Sequence, residues 1–223
     1  MKRNVLIIGA GGVAQVVAHK CAQNNDVLGD LHIASRTISK CEAIIASVHA
    51  KAAMKQDGVF EAHALDAMDT SAVAALIGTT GAQIVINVGS PFVNMTVLEA
   101  CIQTKIAYID TAIHEDPSKI CETPPWYGNY EWKRREACAQ AGVTAILGAG
   151  FDPGMVNAFA RFAIDEFMDE VKSIDIVGMF PDYKTAEKAW RAAAQRTVDD
   201  AEMKYVVVHL HRLLQPDMLK PAK

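Results

Sequence analysis

The chain has 223 residues, of which 51% are hydrophobic, and a formal net charge of -4. This length allows one large domain or one domain plus a fragment, and the apolar share is enough for a substantial core. The charge is modest and Lys and Arg form no long run, so neither nucleic acid nor an acidic membrane is an expected partner.

Met1-Lys2-Arg3 followed by Val5-Leu6-Ile7-Ile8 resembles the start of a secretion signal. The apolar stretch is short and broken by Gly9 to Gly12, so a buried strand is the expected structure. The glycine frame after it is G-x-G-x-x-A, with Gly9, Gly11 and Ala14 at the defining places. In a dinucleotide turn the first small residue permits the tight strand-to-helix turn. The second lets backbone approach a pyrophosphate, and the third lets helix lie close on strand. Amides at the start of the following helix, expected from Val13 to Gln23, would then face the phosphate charge. Gly9, Gly11, Gly12, Val13 and Ala14 are the expected cofactor cradle.

Leu31 to Arg36 reads as a second strand, Lys40 to His49 as a helix, Phe60 to Leu65 as a third strand and Ala72 to Ile77 as a short helix. Gln83 to Val88 is a nearly continuous apolar run, the signature of a buried parallel strand. Met95 to Gln103 is expected to be helical and Ile106 to Asp110 a fifth strand. Strands alternating with helices at this spacing predict an α/β fold, a Rossmann-type doubly wound parallel sheet. His114 to Tyr130 contains Pro117, Pro124, Pro125 and Gly128 and reads as an irregular loop. A helix over 130–141, a strand over 143–147 and a second glycine turn, Gly148 to Gly154, follow. Met155 to Phe167 reads as a helix and Lys172 to Val177 as a strand. Beyond Gly178 the texture changes. Asp182 would cap a helix from Tyr183 to Arg196 with Ala186, Ala189, Trp190 and Ala193 on one face, and Met203 to Leu210 reads as a strand. The expected division is a dinucleotide-binding domain over 1–147, the start of a substrate domain over 148–177, and a small α-then-β tail over 178–223.

The end of the second strand selects the dinucleotide. A carboxylate there would accept from a ribose 2'-hydroxyl, but the chain offers Ser35-Arg36-Thr37 with Lys40 one turn on. A guanidinium pairs with a 2'-phosphate and stacks on adenine, so NADP(H) is the expected cofactor. Asp66 is placed either to accept from the adenine amino group or to cap a helix. Asn87-Val88-Gly89 follows the fourth strand, where Gly89 lets backbone approach sugar and nicotinamide or forms an ordinary turn. Asp110-Thr111 ends the fifth strand on the same edge. His114 is either a proton-transfer group near neutral pH or a surface loop histidine. Asp152 stands ahead of a helix, where N-capping is its simplest role. Cys21, Cys41, Cys101, Cys121 and Cys138 are odd in number and lack C-x-x-C spacing. Reduced thiols, a cytoplasmic setting and no metal are therefore expected. Triad order, H-E-x-x-H and G-K-[ST] phosphate-loop signatures are not present.

Together, Gly9 to Ala14, Ser35-Arg36, Asn87 to Gly89, Tyr108 to Ala112 and Gly148 to Gly154 resemble the saccharopine dehydrogenase family. His114 to Pro117 and Trp126 to Trp132 are similar to a bacterial polyamine-forming branch of it. The resemblance runs from about Met1 to Val177. It implies reductive condensation of aspartate semialdehyde with a diamine through an imine, with NADPH as hydride source. Asp110, His114 and Asp152 are the nearest candidates for positioning the imine and supplying a proton. Nothing after Val177 matches the family's substrate domain. Gly178 to Trp190, with Thr197 to Ala201 and Tyr205, instead resembles the end of a small uncharacterised bacterial family. The expectation is a truncated or fused chain, impaired in catalysis, with small-molecule substrates. The alternatives are a non-catalytic NADP-binding module and a tail that docks a partner. Missing sheet contacts would leave apolar surface uncovered, which predicts a homo-oligomer such as a dimer, or poor solubility.

Overall fold

The computed structural model describes residues 2–116, 128–151, 153–167 and 183–196. The chain divides into two compact units, Met1–Gly154 and Met155–Lys223. The first contains a six-stranded sheet in the order β3-β2-β1-β4-β5-β6. Its strands are β1 (Val5–Ile8), β2 (Leu31–Ser35), β3 (Phe60–Ala64), β4 (Ile84–Asn87), β5 (Ala107–Asp110) and β6 (Ala145–Ile146). Every pairing is parallel. This is the doubly wound arrangement, and the strand order reverses between β1 and β4, where a crevice opens for ligand.

Helices α1 (Gly12–Ala22), α2 (Ile38–Ala50), α3 (Thr70–Thr80) and α4 (Asn94–Thr104) make the crossovers. Alternation along β1 divides the core between the two faces of the sheet. Val5 and Ile7 pack with Ala14, Ala18, Cys41 and Val48, while Leu6 and Ile8 pack with Val73, Ile77, Val97 and Leu98. Ala14 is fully buried, so the third small residue of the first glycine turn does hold α1 close to the sheet.

Some expected bounds shift. Helix α3 is longer than the 72–77 core because Asp69 caps it, accepting from the backbone N–H groups of Ser71 at 2.8 Å and Ala72 at 3.1 Å. The helix expected over 130–141 is two helices, α5 (Asn129–Trp132) and α6 (Arg135–Ala141). At the break the Arg134 N–H bonds to Glu131 O, three residues back, and the Arg134 guanidinium donates to Tyr130 O at 2.9 Å. These contacts end the first helix, and the next begins with Cys138 N–H on Arg134 O. Strand β6 retains only Ala145 and Ile146 of the expected 143–147. It forms one edge of the sheet and leaves Ile146 and Leu147 exposed.

In the second unit α7 (Met155–Phe167) and α8 (Tyr183–Arg196) have the expected bounds. On α7, Val156, Phe159, Ala160 and Ala163 form a half-buried stripe at helical spacing. On α8, Ala186, Ala189 and Trp190 are half-buried and Ala193 is buried, while Lys184, Lys188 and Arg191 are exposed, and Glu187 pairs with Arg191 at 2.7 Å. The strands expected over 172–177 and 203–210, and the Asp182 cap, lie outside the described residues. The described cysteines are all free thiols, and burial raises Cys21 to about 11 and Cys101 to about 12. Among the described residues, no helix is long and apolar enough to cross a membrane.

Candidate functional site

Strand register brings the site together. Ile8 pairs with Ala34 on one side and Asn87 on the other, and Asn87 pairs with Asp110. The residues that follow this row, Gly9, Ser35–Arg36, Val88–Gly89 and Thr111, therefore emerge along one carboxyl edge of the sheet. Ligands of parallel α/β sheets bind at that edge.

The three glycines of the first turn have different tasks. Gly9 has φ +119°, and a Cβ there would lie 2.8 Å from Val88 O, so glycine is required by the protein's own backbone. A Cβ at Gly11 or Gly12 would meet nothing within 4 Å. That empty space lies over the first turn of α1, where no side chain caps the helix and no acidic residue stands. Unused amides, the positive end of the helix dipole and open space fit a pyrophosphate. Val13 is exposed beside them.

At the end of β2, Ser35 Oγ is committed to the turn. It accepts from the Thr37 N–H at 3.2 Å and from Cys41 Sγ, and donates to Thr37 O at 3.0 Å. This hydroxyl shapes the loop, leaving Arg36, Thr37 and Lys40 as the exposed side chains at the strand end. Thr37 is the N-cap residue of α2 but its side chain makes no capping bond. Asp66 is exposed and closes a small turn by accepting from the Met68 N–H at 3.1 Å. Asp69, not Asp66, caps α3.

Asn87 is buried, and its side chain works inward. Its Nδ2 donates to Asn94 Oδ1 at 2.8 Å, and its Oδ1 accepts from the Gly89 N–H at 3.2 Å. Asn94 in turn donates to Ala112 O at 2.6 Å. This buried network ties the loop after β4 to the loop after β5, so Val88, Gly89 and Thr111 hold fixed positions.

Asp110 is only 1% exposed. Its Oδ1 accepts from the Gly148 N–H at 2.6 Å, and its carbonyl accepts from the Ala149 N–H at 2.8 Å. Among the described residues, Oδ2 has no hydrogen-bond partner. Burial raises the carboxyl to about 6 against the opposing pull of the Gly148 and Tyr108 hydrogen bonds, with help from the nearby Glu131 charge. Burial also pushes the Tyr108 hydroxyl far up. The Asp110 carboxylate thus anchors the second glycine turn from beneath.

His114 is half-buried, and its Nδ1 lies 3.0 Å from Pro91 O. A carbonyl only accepts, so Nδ1 carries the hydrogen and Nε2 is left as the ring's remaining lone pair when neutral. The backbone N–H of His114 donates to Glu131 Oε1 at 2.6 Å, and the imidazole stands edge-on to Tyr130 at 4.8 Å. Glu131 is itself buried. Asn94 and Glu131 were not singled out by sequence reasoning. The available signal was an amide at a helix start and a carboxylate between Tyr130 and Trp132, each needing a partner once buried. Asp152 lies outside the described residues.

A six-stranded parallel sheet, an open glycine turn at its switch point and cations at the end of β2 define a dinucleotide-binding domain. Residues 5–146 match the saccharopine dehydrogenase NADP binding domain, and the chain belongs to that family, with NADP(H) as its cofactor. Residues 158–210 match a second profile, Domain of unknown function (DUF4170), which begins within α7 and so upstream of the change of texture at Gly178. Carboxynorspermidine synthase of Vibrio alginolyticus is 48% identical over 174 residues, 78% of this chain and 42% of that protein. Carboxyaminopropylagmatine dehydrogenase of Synechocystis is 36% identical over 173 residues, covering 78% of this chain and 40% of its own length. The solved apo saccharopine dehydrogenase (L-Glu forming) of Saccharomyces cerevisiae superposes with a TM-score of 0.55 at 23% identity, over 74% of this chain and 31% of the other. The chain thus spans less than half the length of these relatives.

Proposed function

We propose that the chain is an NADPH-dependent oxidoreductase of polyamine biosynthesis, joining an amino-acid semialdehyde to a diamine by reduction of their imine. The observation that carries this reading is the 46–48% identity to carboxynorspermidine synthases over 78% of this chain. Arg36 and Lys40, exposed at the end of β2 without a competing carboxylate, suit the 2'-phosphate. Gly11 and Gly12 leave room for the pyrophosphate, while Val88, Gly89 and Thr111 border the nicotinamide side. When bound, the nucleotide supplies a hydride. His114, with Nδ1 tied to Pro91 O, presents Nε2 for moving a proton to or from the substrate nitrogen. Asp110 positions the second glycine turn, and Asp152 is retained with His114 as a candidate proton donor. The apolar edge at Ile146 and Leu147 favours assembly with a second copy, and a cytoplasmic setting suits the free thiols.

Arg36→Asp tests the cofactor assignment. Loss of a charge-assisted pair, with a carboxylate in its place, is expected to weaken NADPH about 10- to 100-fold and leave NADH little changed. An unchanged NADPH Kd overturns the assignment. Turnover is then followed as NADPH oxidation with semialdehyde and diamine supplied together. A second reading, a binding module without catalysis, is favoured by the match of residues 5–146 to an NADP binding domain. It predicts NADPH binding with no oxidation under the same conditions. A third, in which the tail docks a partner through Trp190 and Tyr205, predicts an association lost on deleting 178–223 with nucleotide affinity retained.

A further inference from the structure

Away from the cofactor edge, β2 and β3 bring three metal-binding side chains together. His32 pairs with Glu61 and Ala34 with His63 in the parallel register, so His32, Glu61 and His63 share one face of the sheet. His32 Nδ1 lies 3.1 Å from His63 Nε2 and 3.9 Å from Glu61 Oε2. All three ligand atoms lie within 4.8 Å of one another. His32 is buried, His63 half-buried and Glu61 exposed. His32 precedes Ser35 by three residues, which sets the cluster roughly 10 Å along the strand from the nucleotide edge.

Two imidazole nitrogens bound to one tetrahedral Zn2+ at about 2.0–2.1 Å are separated by roughly 3.3 Å, close to the spacing found here. The same spacing serves a plain imidazole–imidazole hydrogen bond. The carboxylate distinguishes the two, because a neutral pair needs no anion and Glu61 is on a flexible, exposed stem able to close the remaining distance. Asp30 and Glu61 both act on His32 with negative charge, a field that favours a cation. Two imidazoles and one carboxylate match the donor preference of Zn2+ and leave a fourth position for water.

We propose that His32, Glu61 and His63 form a Zn2+-type site that clips the edge strand β3 to β2. The site bridges β2 and β3, and β3 is an outer edge of the sheet. Bound metal therefore stabilises the folded state by mass action.

The test uses the tag-free full chain, stripped with chelator, in a His209→Gln/His211→Gln background so that tail imidazoles do not contribute. Zn2+ titration by calorimetry is expected to show one ion per chain, and Co2+ to give visible d–d bands. Removing even an outer partner of a metal ligand typically costs 10- to 100-fold, so His63→Gln is expected to weaken Zn2+ by about 100-fold and Glu61→Gln by at least about tenfold. Zn2+ should raise the Tm of the parent and not of His63→Gln, while NADPH affinity stays the same in all variants. If His63→Gln does not fold, the exposed Glu61→Gln decides alone. Absence of binding, or equal Zn2+ affinity in parent and both variants, overturns the site.

Discussion

The chain carries two glycine-rich turns, and they use glycine for opposite reasons. In the first, Gly11 and Gly12 face open space, and only Gly9 is crowded by backbone. In the second, every glycine is crowded by the chain itself. A Cβ at Gly148 would press on Pro153, one at Gly150 on the Thr111 carbonyl, and one at Gly154 on the Gly150 and Gly148 carbonyls. Glycine that leaves space unfilled is kept for something that comes from outside. Glycine that is already enclosed is kept for folding. In the proposed function the first turn is the one assigned to the cofactor, while the second serves the packing that sets the end of β5.

The largest expected effect comes from filling an enclosed glycine. Gly154 has φ +129°, a region hostile to any side chain, and its Cβ would collide with two carbonyl oxygens. Backbone strain and overpacking together put the cost of Gly154→Ala at about 4 kcal/mol. Urea unfolding should show this as a lower midpoint with an unchanged slope. A variant as stable as the parent would mean that the second turn is as open as the first.

How far these differences were legible from sequence follows from which contacts are local. Strand β1, both glycine turns and helices α7 and α8 were readable because apolar periodicity and turn residues are local signals. The end of β2 was readable for the same reason, since Ser35-Arg36-Thr37 directly follows an apolar strand. The support beneath the site was not. Asn94 bonds to Ala112 and Glu131 to the His114 backbone, pairs that only the tertiary fold brings together. The break between α5 and α6 depends on Arg134 reaching back to Tyr130 and on Glu131 being held inward. The meeting of His32 with His63 required the β2–β3 register, which no single-strand pattern contains.

Asp110 gives the next effect, on the anchor of the second turn. Its carboxyl is raised to about 6 in the folded protein from an ordinary 3.8, because burial disfavours the charge. The folded state therefore binds the proton more tightly than the unfolded state. The associated stability is fully present below about pH 4 and is lost as pH rises through about 6, by on the order of 3 kcal/mol. Asp110→Asn keeps an oxygen for the Gly148 N–H and cannot ionise. Its unfolding free energy should lack the fall between pH 4 and 6 that the parent shows. Parallel pH profiles would mean that the carboxylate is solvated and that the second turn is not anchored from below.

The smallest expected change in stability is the most informative for the comparison. Gly11 has φ −92° and ψ −171°, an extended conformation open to any residue, and its Cβ would touch nothing. In Gly11→Ala, reduced freedom of the unfolded chain offsets alanine's poorer fit at an N-cap, so stability should shift by no more than about 0.5 kcal/mol. The new methyl would instead occupy the space assigned to the pyrophosphate. NADPH affinity should fall at least about tenfold, a loss of roughly 1.4 kcal/mol in binding with the fold intact. Stability and binding are thus separated at one position, whereas Gly154→Ala lowers stability first and binding only through it. If Gly11→Ala binds NADPH as tightly as the parent, the open space above α1 is not where the phosphates lie. The two turns would then differ in packing alone.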